Sequence, residues 1–184
     1  MRVSYLTGTV VAFRPLVMGD KAVASAWHPS PYPIDASRAE EWLKEKHKSF
    51  WSREAHYALV RIEGAATPEA SDDEIVGSAR IWSDARHASV AFHIAPWVED
   101  AGAIRADAIR VIVPWLHEER EMLVTTLELA ADDREGIAAA EAAGMDQTGR
   151  LRQHFARPSG RTDKLYYQKV NRLWRFEDEE AGNA

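Results

Sequence analysis

The order in which strand-like and helix-like segments follow one another limits the folds open to this chain. Residues 10–16 are apolar and β-branched and end in Arg-Pro, which reads as a strand. Gly19-Asp20 opens a short helix over 21–27. The stretch 28–34 holds Pro29, Pro31 and Pro33 and reads as an extended loop. Asp35 or Ser37 caps a helix over about 38–51, with Trp42, Leu43 and Phe50 near a helical repeat. Strands are expected at 57–62, 75–82 and 89–95, with a polar surface loop over 64–74 and a turn over 83–88 that makes the last two an antiparallel pair. A long helix over about 103–120 shows Ile104, Ala108, Val111, Ile112 and Trp115 on one face, and Pro114 should kink it. A buried strand at 122–129 and a short Ala-rich helix at 134–143, capped by Asp132 or Asp133 and closed by Gly144, come next. Strands at 149–155 and 164–170 flank the turn 157–160. The order is β-α-α-β-β-β-α-β-α-β-β, with no internal repeat and no linker. We expect one domain over 1–176 and an acidic, frayed tail over 177–184.

Composition narrows the chemistry. The 184 residues include no Cys, which excludes disulfides, a cysteine nucleophile and cysteine-ligated metals. The net charge of −6 argues against a dedicated nucleic-acid binder. No run of 18 apolar residues is present, and the N-terminus lacks a signal-peptide pattern, so a cytoplasmic protein with no membrane span is expected. Seven Trp are many for this length. Indole is usually core but also lines pockets. Trp42 and Trp115 read as core, and Trp27, Trp82 and Trp97 as candidates for a cleft.

Four segments carry a family resemblance. The first is Phe13-Arg14-Pro15-Leu16 followed by Asp20, and the second is Ile75-Val76-Gly77-Ser78. The third is Ala95-Pro96. The fourth runs Gly144-Met145, Gly149-Arg150-Leu151-Arg152, Gly160-Arg161, Asp163 and Tyr166. In this order and spacing they resemble the GNAT acyltransferase family, and most of all the branch of Rim-type ribosomal-protein N-terminal acetyltransferases, over about residues 10–170.

The resemblance implies a mixed α/β (α+β) fold. Its central sheet would have about six to seven strands, splayed between the fourth and fifth and flanked by about four helices. It implies acetyl-CoA, or another acyl-CoA, as donor. The pantetheine would lie along Phe92 and Ile94 of the fourth strand. The pyrophosphate would rest on the next helix start, at Gly102, Ala103, Ile104 and Arg105, with Asp133 and Gly136 beyond the fifth strand. Two registers are open for the glycine loop. Anchored on Pro96, Gly102 is the retained glycine and Ile104 takes a small-residue place. Anchored on the helix, Ala101-Gly102-Ala103 replaces Gly-x-Gly. In both, Glu99 and Asp100 bring carboxylates to the phosphate position. The family's Asn, Ser, Tyr and strand Glu correspond to Asp133, Gly136, Ala140 and Ser89.

A proton shuttle needs a titratable group beside the amine. His93 is the first candidate, because it lies next to the implied splay and imidazole titrates near neutrality; the alternative is a packed or solvent-facing strand histidine. Asp133 is a second, against a plain helix-cap role. Tyr166, alternating faces with Tyr167, is a third. Trp27, His28 and Tyr32, in the Pro-rich loop, and Trp82 are candidate acceptor-binding residues, against tucking onto the core. Arg150, Arg152, Arg157 and Arg161 form a basic cluster, either a solvated face or an anion contact. Histidines 47, 56, 87, 117 and 154 lack metal-ligand spacing, and no metal is expected.

The implied reaction moves an acetyl group from the thioester to a primary amine by direct attack. The acceptor would be a small amine or a protein N-terminus, and a homodimer is compatible with the resemblance. Two alternatives stand beside it. One is transfer from a carrier- or tRNA-bound acyl donor, against which the net charge weighs. The other is a non-catalytic ligand-binding protein on the same fold.

Overall fold

The computed structural model describes residues 6–29, 34–48, 53–62, 74–157 and 160–171, without the side chains of 46–48 and 157. In chain order the elements are β1 (Leu6–Thr7), β2 (Val11–Pro15), a 3-10 turn (Met18–Val23), α1 (Ala24–Trp27), α2 (Ala36–Lys48), β3 (Glu54–Arg61), β4 (Ile75–Asp84), β5 (His87–Ile94), α3 (Ala101–Glu118), β6 (Val124–Ala130), α4 (Arg134–Ala142), β7 (Asp146–Arg157) and β8 (Gly160–Val170). Eight strands among the described residues form one mixed sheet in the order β1-β2-β3-β4-β5-β6-β8-β7. The strand beyond expectation is β1, whose two residues are too few to leave a periodic signal.

Alternation divides the sheet into two unlike faces. Ala79 and Ile81 of β4, Ala88 and Val90 of β5, Leu127 and Leu129 of β6, and Leu165 and Tyr167 of β8 point one way, into a core closed by α3 and α4. The buried stripe of α3 is Ile104, Ala108, Ile109, Ile112, Val113 and Leu116. It is rotated from the expected face, since Val111 and Trp115 are only half-buried. The helix continues through Pro114 to Glu118. On the opposite face α1 and α2 cover one end of the sheet through Trp27, Ala39 and Leu43 against Ala58, Val60 and Ile75. The remainder of that face stays open and polar.

Helix α3 carries one buried charge. Asp107 is 3% exposed and accepts hydrogen bonds from Thr9 Oγ1 (2.9 Å) and from the backbone N–H groups of Val10 (2.8 Å) and Val11 (3.1 Å). Burial pushes its carboxyl up, but these donors outweigh burial and hold it below its ordinary value. It fastens α3 to the start of β2.

Two features shape the middle of the sheet. The β4–β5 hairpin turns on Ala85-Arg86, with Ala85 at φ 51, a tighter turn than expected because both strands run further toward it. Strands β5 and β6 are parallel and pair only over His87–Val90 against Val124–Leu127. Beyond that rung they part, leaving Ala91–Ile94 paired on the β4 side alone and Glu128–Ala130 on the β8 side alone. Gly77 stands opposite Ile94 at this parting, and an added Cβ would collide with the His93 carbonyl oxygen. Gly77→Ala is therefore expected to lower the unfolding free energy by about 2 kcal/mol or more, read from urea denaturation. An unchanged midpoint would show that β4 and β5 can move apart freely.

Candidate active site

The gap between β5 and β6 joins the two faces of the sheet, and side chains from four elements meet around it. Register rows place them. Trp82, Ser89, Thr126 and Gln168 form one cross-strand row, and Arg80 and Ala91 the next toward the gap. Ser78 and His93 follow, with Glu128 and Tyr166 on the far side. All lie on the face opposite α3 and α4, with Ser78 buried beneath α1 and the others on its open polar part.

His93 is half-buried at the gap, and its Nε2 is buried without a hydrogen-bond partner. Burial, and then the positive charges of His28 and Arg105, push its pKa below the ordinary histidine value. It is thereby held neutral with an unspent ring nitrogen. His28, at the end of α1, is also lowered by burial, and its Nδ1 is buried without a partner. Its ring packs edge-on against Trp42 at 5.7 Å, and Trp42 against His56 at 4.8 Å.

Several expected site residues prove structural. Trp27 is 1% exposed and donates its indole N–H to the Asp20 carbonyl at 2.9 Å, so it belongs to the core and does not line a pocket. Its own carbonyl accepts the Ser78 hydroxyl at 2.5 Å. Asp133 caps α4, accepting from Gly136 N–H at 3.1 Å, and pairs with Arg105 at 2.5 Å. Both contacts fix the carboxylate and give Asp133 the helix-cap role that was the alternative to a proton shuttle. Gly136 is buried where a Cβ would strike Asp133, and its N–H is spent on the cap, so it is not a ligand contact. Ile104 is fully buried in the core and offers nothing to a ligand. Phe92 and Ile94 turn their side chains to the core, leaving backbone alone toward the gap. Arg105 reaches the gap already paired.

The other candidates are placed as follows. Tyr166 is half-buried on the open face beside Glu128, with the Lys164 ammonium 5.8 Å from its ring centre. Tyr167 is core, as alternation requires, and its hydroxyl donates to Glu141 at 3.2 Å. Trp82 is half-buried on the open face, edge-on to His87 at 6.2 Å. Tyr32 lies outside the described residues. In the basic cluster, Arg150 pairs with Asp163 and Arg161 donates to the Gln153 carbonyl, so these two are committed within the β7–β8 hairpin. Among the described residues no group of three or more His, Cys, Asp or Glu is arranged to hold a metal ion.

The start of α3 differs from its sequence pattern in one respect. Asp100 occupies the N-cap position without making a side-chain cap. Its carboxylate is instead held by Arg61 through two 2.8 Å hydrogen bonds, which lower its pKa. The N–H groups of Ala101, Gly102 and Ala103 are left without partners among the described residues. Sequence reasoning placed the carboxylate but not Arg61, which is 39 residues away and carries no motif.

Residues missed from sequence include Thr126, which accepts from Gln168 at 3.1 Å and shares a 2.9 Å hydrogen bond with His87 Nε2 at the closed end of the gap. No helix among the described residues is long and apolar enough to cross a membrane.

Comparison with known proteins gives a consistent picture. No family model and no curated protein matches the chain. Among solved structures, a Sphaerobacter thermophilus protein assigned as an acetyltransferase is 39% identical, with a TM-score of 0.70, covering 92% of this chain and 99% of that one. Mycobacterium smegmatis RimJ, solved in complex with CoA-disulfide, is 14% identical with a TM-score of 0.66, covering 96% of this chain and 93% of that one. A Bacillus anthracis acetyltransferase of the GNAT family is 10% identical with a TM-score of 0.62, covering 90% and 98%.

Proposed function

Because the chain belongs to the GNAT acetyltransferase family, we propose that it transfers an acetyl group from a CoA thioester to a primary amine by direct attack, with His93 as the proton acceptor. The observation that carries this reading is the parting of β5 and β6 beside an unpartnered, neutral imidazole.

The residues present fit a CoA thioester. Ala91–Ile94 and Glu128–Ala130 present ladder groups with no strand between them, which suits an amide-bearing chain such as pantetheine. The free N–H groups of Ala101, Gly102 and Ala103 suit an anion, and Arg61 keeps Asp100 from taking them. Acetyl-CoA, when bound, supplies the activated acetyl group. The protein's part is to align the acceptor and take its proton. In the tautomer protonated at Nδ1, His93 Nε2 carries the lone pair that receives the proton the amine sheds. Low local polarity, with His28 and Arg105 nearby, keeps that lone pair free at neutral pH. Asp133 holds Arg105 and the start of α4 across the gap, so that orientation rests on a fixed frame.

One observation favours a different donor. The Glu135 carboxylate lies against Gly102, where an added Cβ would meet it, which sets a like charge beside the phosphate position. A carrier-bound donor would avoid that repulsion. Thermal unfolding separates the two. A ligand at 100 times its Kd adds about 2.7 kcal/mol, so CoA or acetyl-CoA should raise Tm by about 5 °C or more. No shift at millimolar CoA would exclude the CoA reading.

A further inference from the structure

We propose that the acceptor is a small amine that also carries a carboxylate, and that Arg80 receives that carboxylate. This rests on reading the open polar face as the acceptor side of the gap.

The argument starts from uncommitted charge. Arg80 is exposed on the open face of β4 and has no hydrogen bond or ion pair among the described residues. The carboxylates on the same face are engaged. Glu54 lies 3.2 Å from His56 Nε2, and Glu128 accepts from Lys164 at 2.8 Å. Both acids already have partners, and Arg80, which stands opposite His56 on β3, is left as a cation on this face without a partner among the described residues. His28 and His93 are held neutral by burial and add no negative charge, so a polycation would meet repulsion from Arg80.

Position supplies the second half. Arg80 stands opposite Ala91, the first residue past the last β5–β6 rung, and His93 stands opposite Ser78. Arg80 and His93 are thus diagonal neighbours on one face, with Cα atoms about 7 Å apart. Side chains of this length close that separation to the span of a short amino acid. A guanidinium takes a carboxylate bidentately, which fixes both register and distance. The amine of such an acceptor would then lie at His93. Trp82 stands one same-face position beyond Arg80 on the side away from His93, where it bounds the carboxylate end of the site.

The test compares matched amines that differ only in the carboxylate: β-alanine against propylamine and 4-aminobutyrate against butylamine, with spermidine as polycation. Each is assayed for acetyl-CoA-dependent acetylation by wild type, Arg80→Gln and Arg80→Glu. Wild type should favour each carboxylate-bearing amine by about tenfold or more in kcat/KM. Arg80→Gln should bring the matched partners together through KM, and Arg80→Glu should turn the preference toward spermidine. Equal kcat/KM for matched partners in wild type would overturn the proposal, as would a preference that survives in Arg80→Gln. So would failure to acetylate either acid while calorimetry shows acetyl-CoA bound. Absence of acetyl-CoA binding in that calorimetry would instead overturn the donor reading, and this inference with it.

Discussion

Replacing His93 with glutamine is expected to lower kcat by about 10²- to 10⁴-fold, the contribution of a positioned general base. Glutamine fills a similar volume and retains hydrogen-bonding capacity, so the folding transition should stay near that of wild type. The pH profile separates a base from a packing residue. Burial first, and then the charges of His28 and Arg105, hold the His93 pKa below 6.5. A base acts when neutral. Wild-type kcat should therefore be level above about pH 6.5 and fall as pH drops below it. The variant should lose that limb together with the activity. A Gln variant with wild-type kcat, or with the acid limb intact, would remove His93 from the mechanism. Stability follows the same titration. His28, His93 and His117 all have depressed pKa values, with burial the first cause in each. The unfolded chain takes up protons near pH 6.5 before the folded one does. Their contribution is complete above that pH and is lost as pH falls.

Asp107→Ala should produce the largest loss of stability of any single change considered, about 4 kcal/mol by urea denaturation. The substitution strands the N–H groups of Val10 and Val11 and the hydroxyl of Thr9 at a site that is 3% exposed. Asn keeps one acceptor oxygen and should lose less. The charged form is the stabilising one, because the folded-state pKa lies below the ordinary 3.8. Its contribution is present above that pH and disappears as pH falls through the folded value. The difference between wild type and the Ala variant should shrink in the same window. A loss under about 1 kcal/mol would mean that water reaches these donors.

Much of the fold was legible because it is written in local periodicity. The element order, a hairpin turn within 83–88 and a cap for α4 at Asp132 or Asp133 follow from alternation, turn chemistry and a short polar side chain before a helix; the structure narrows these to a turn at 85–86 and a cap at Asp133. Strand ends were less so. β3 begins at Glu54 and β7 at Asp146, where polar residues pair in the sheet without leaving an apolar signal. The site was legible only where position on a strand decides the outcome. His93, Trp82 and Tyr166 share the open face because their registers require it. Ile104 and Trp27 went to the core, since whether a helix residue faces a ligand or a sheet depends on helix rotation, which sequence leaves loosely defined. Arg61 with Asp100, and Arg105 with Asp133, join segments 39 and 28 residues apart. Nothing local marks such pairs.

The short parallel ladder between β5 and β6 has a mechanical consequence. Four residue pairs join these strands, against eight between β4 and β5 and seven between β6 and β8. The sheet is therefore two slabs fastened along a brief seam, with the Arg105–Asp133 pair acting as a rivet beside it. Amides along the seam should exchange with solvent through a partial opening that leaves each slab intact, at lower cost than global unfolding. The same seam that admits a ligand between the slabs is where the molecule would begin to come apart under load.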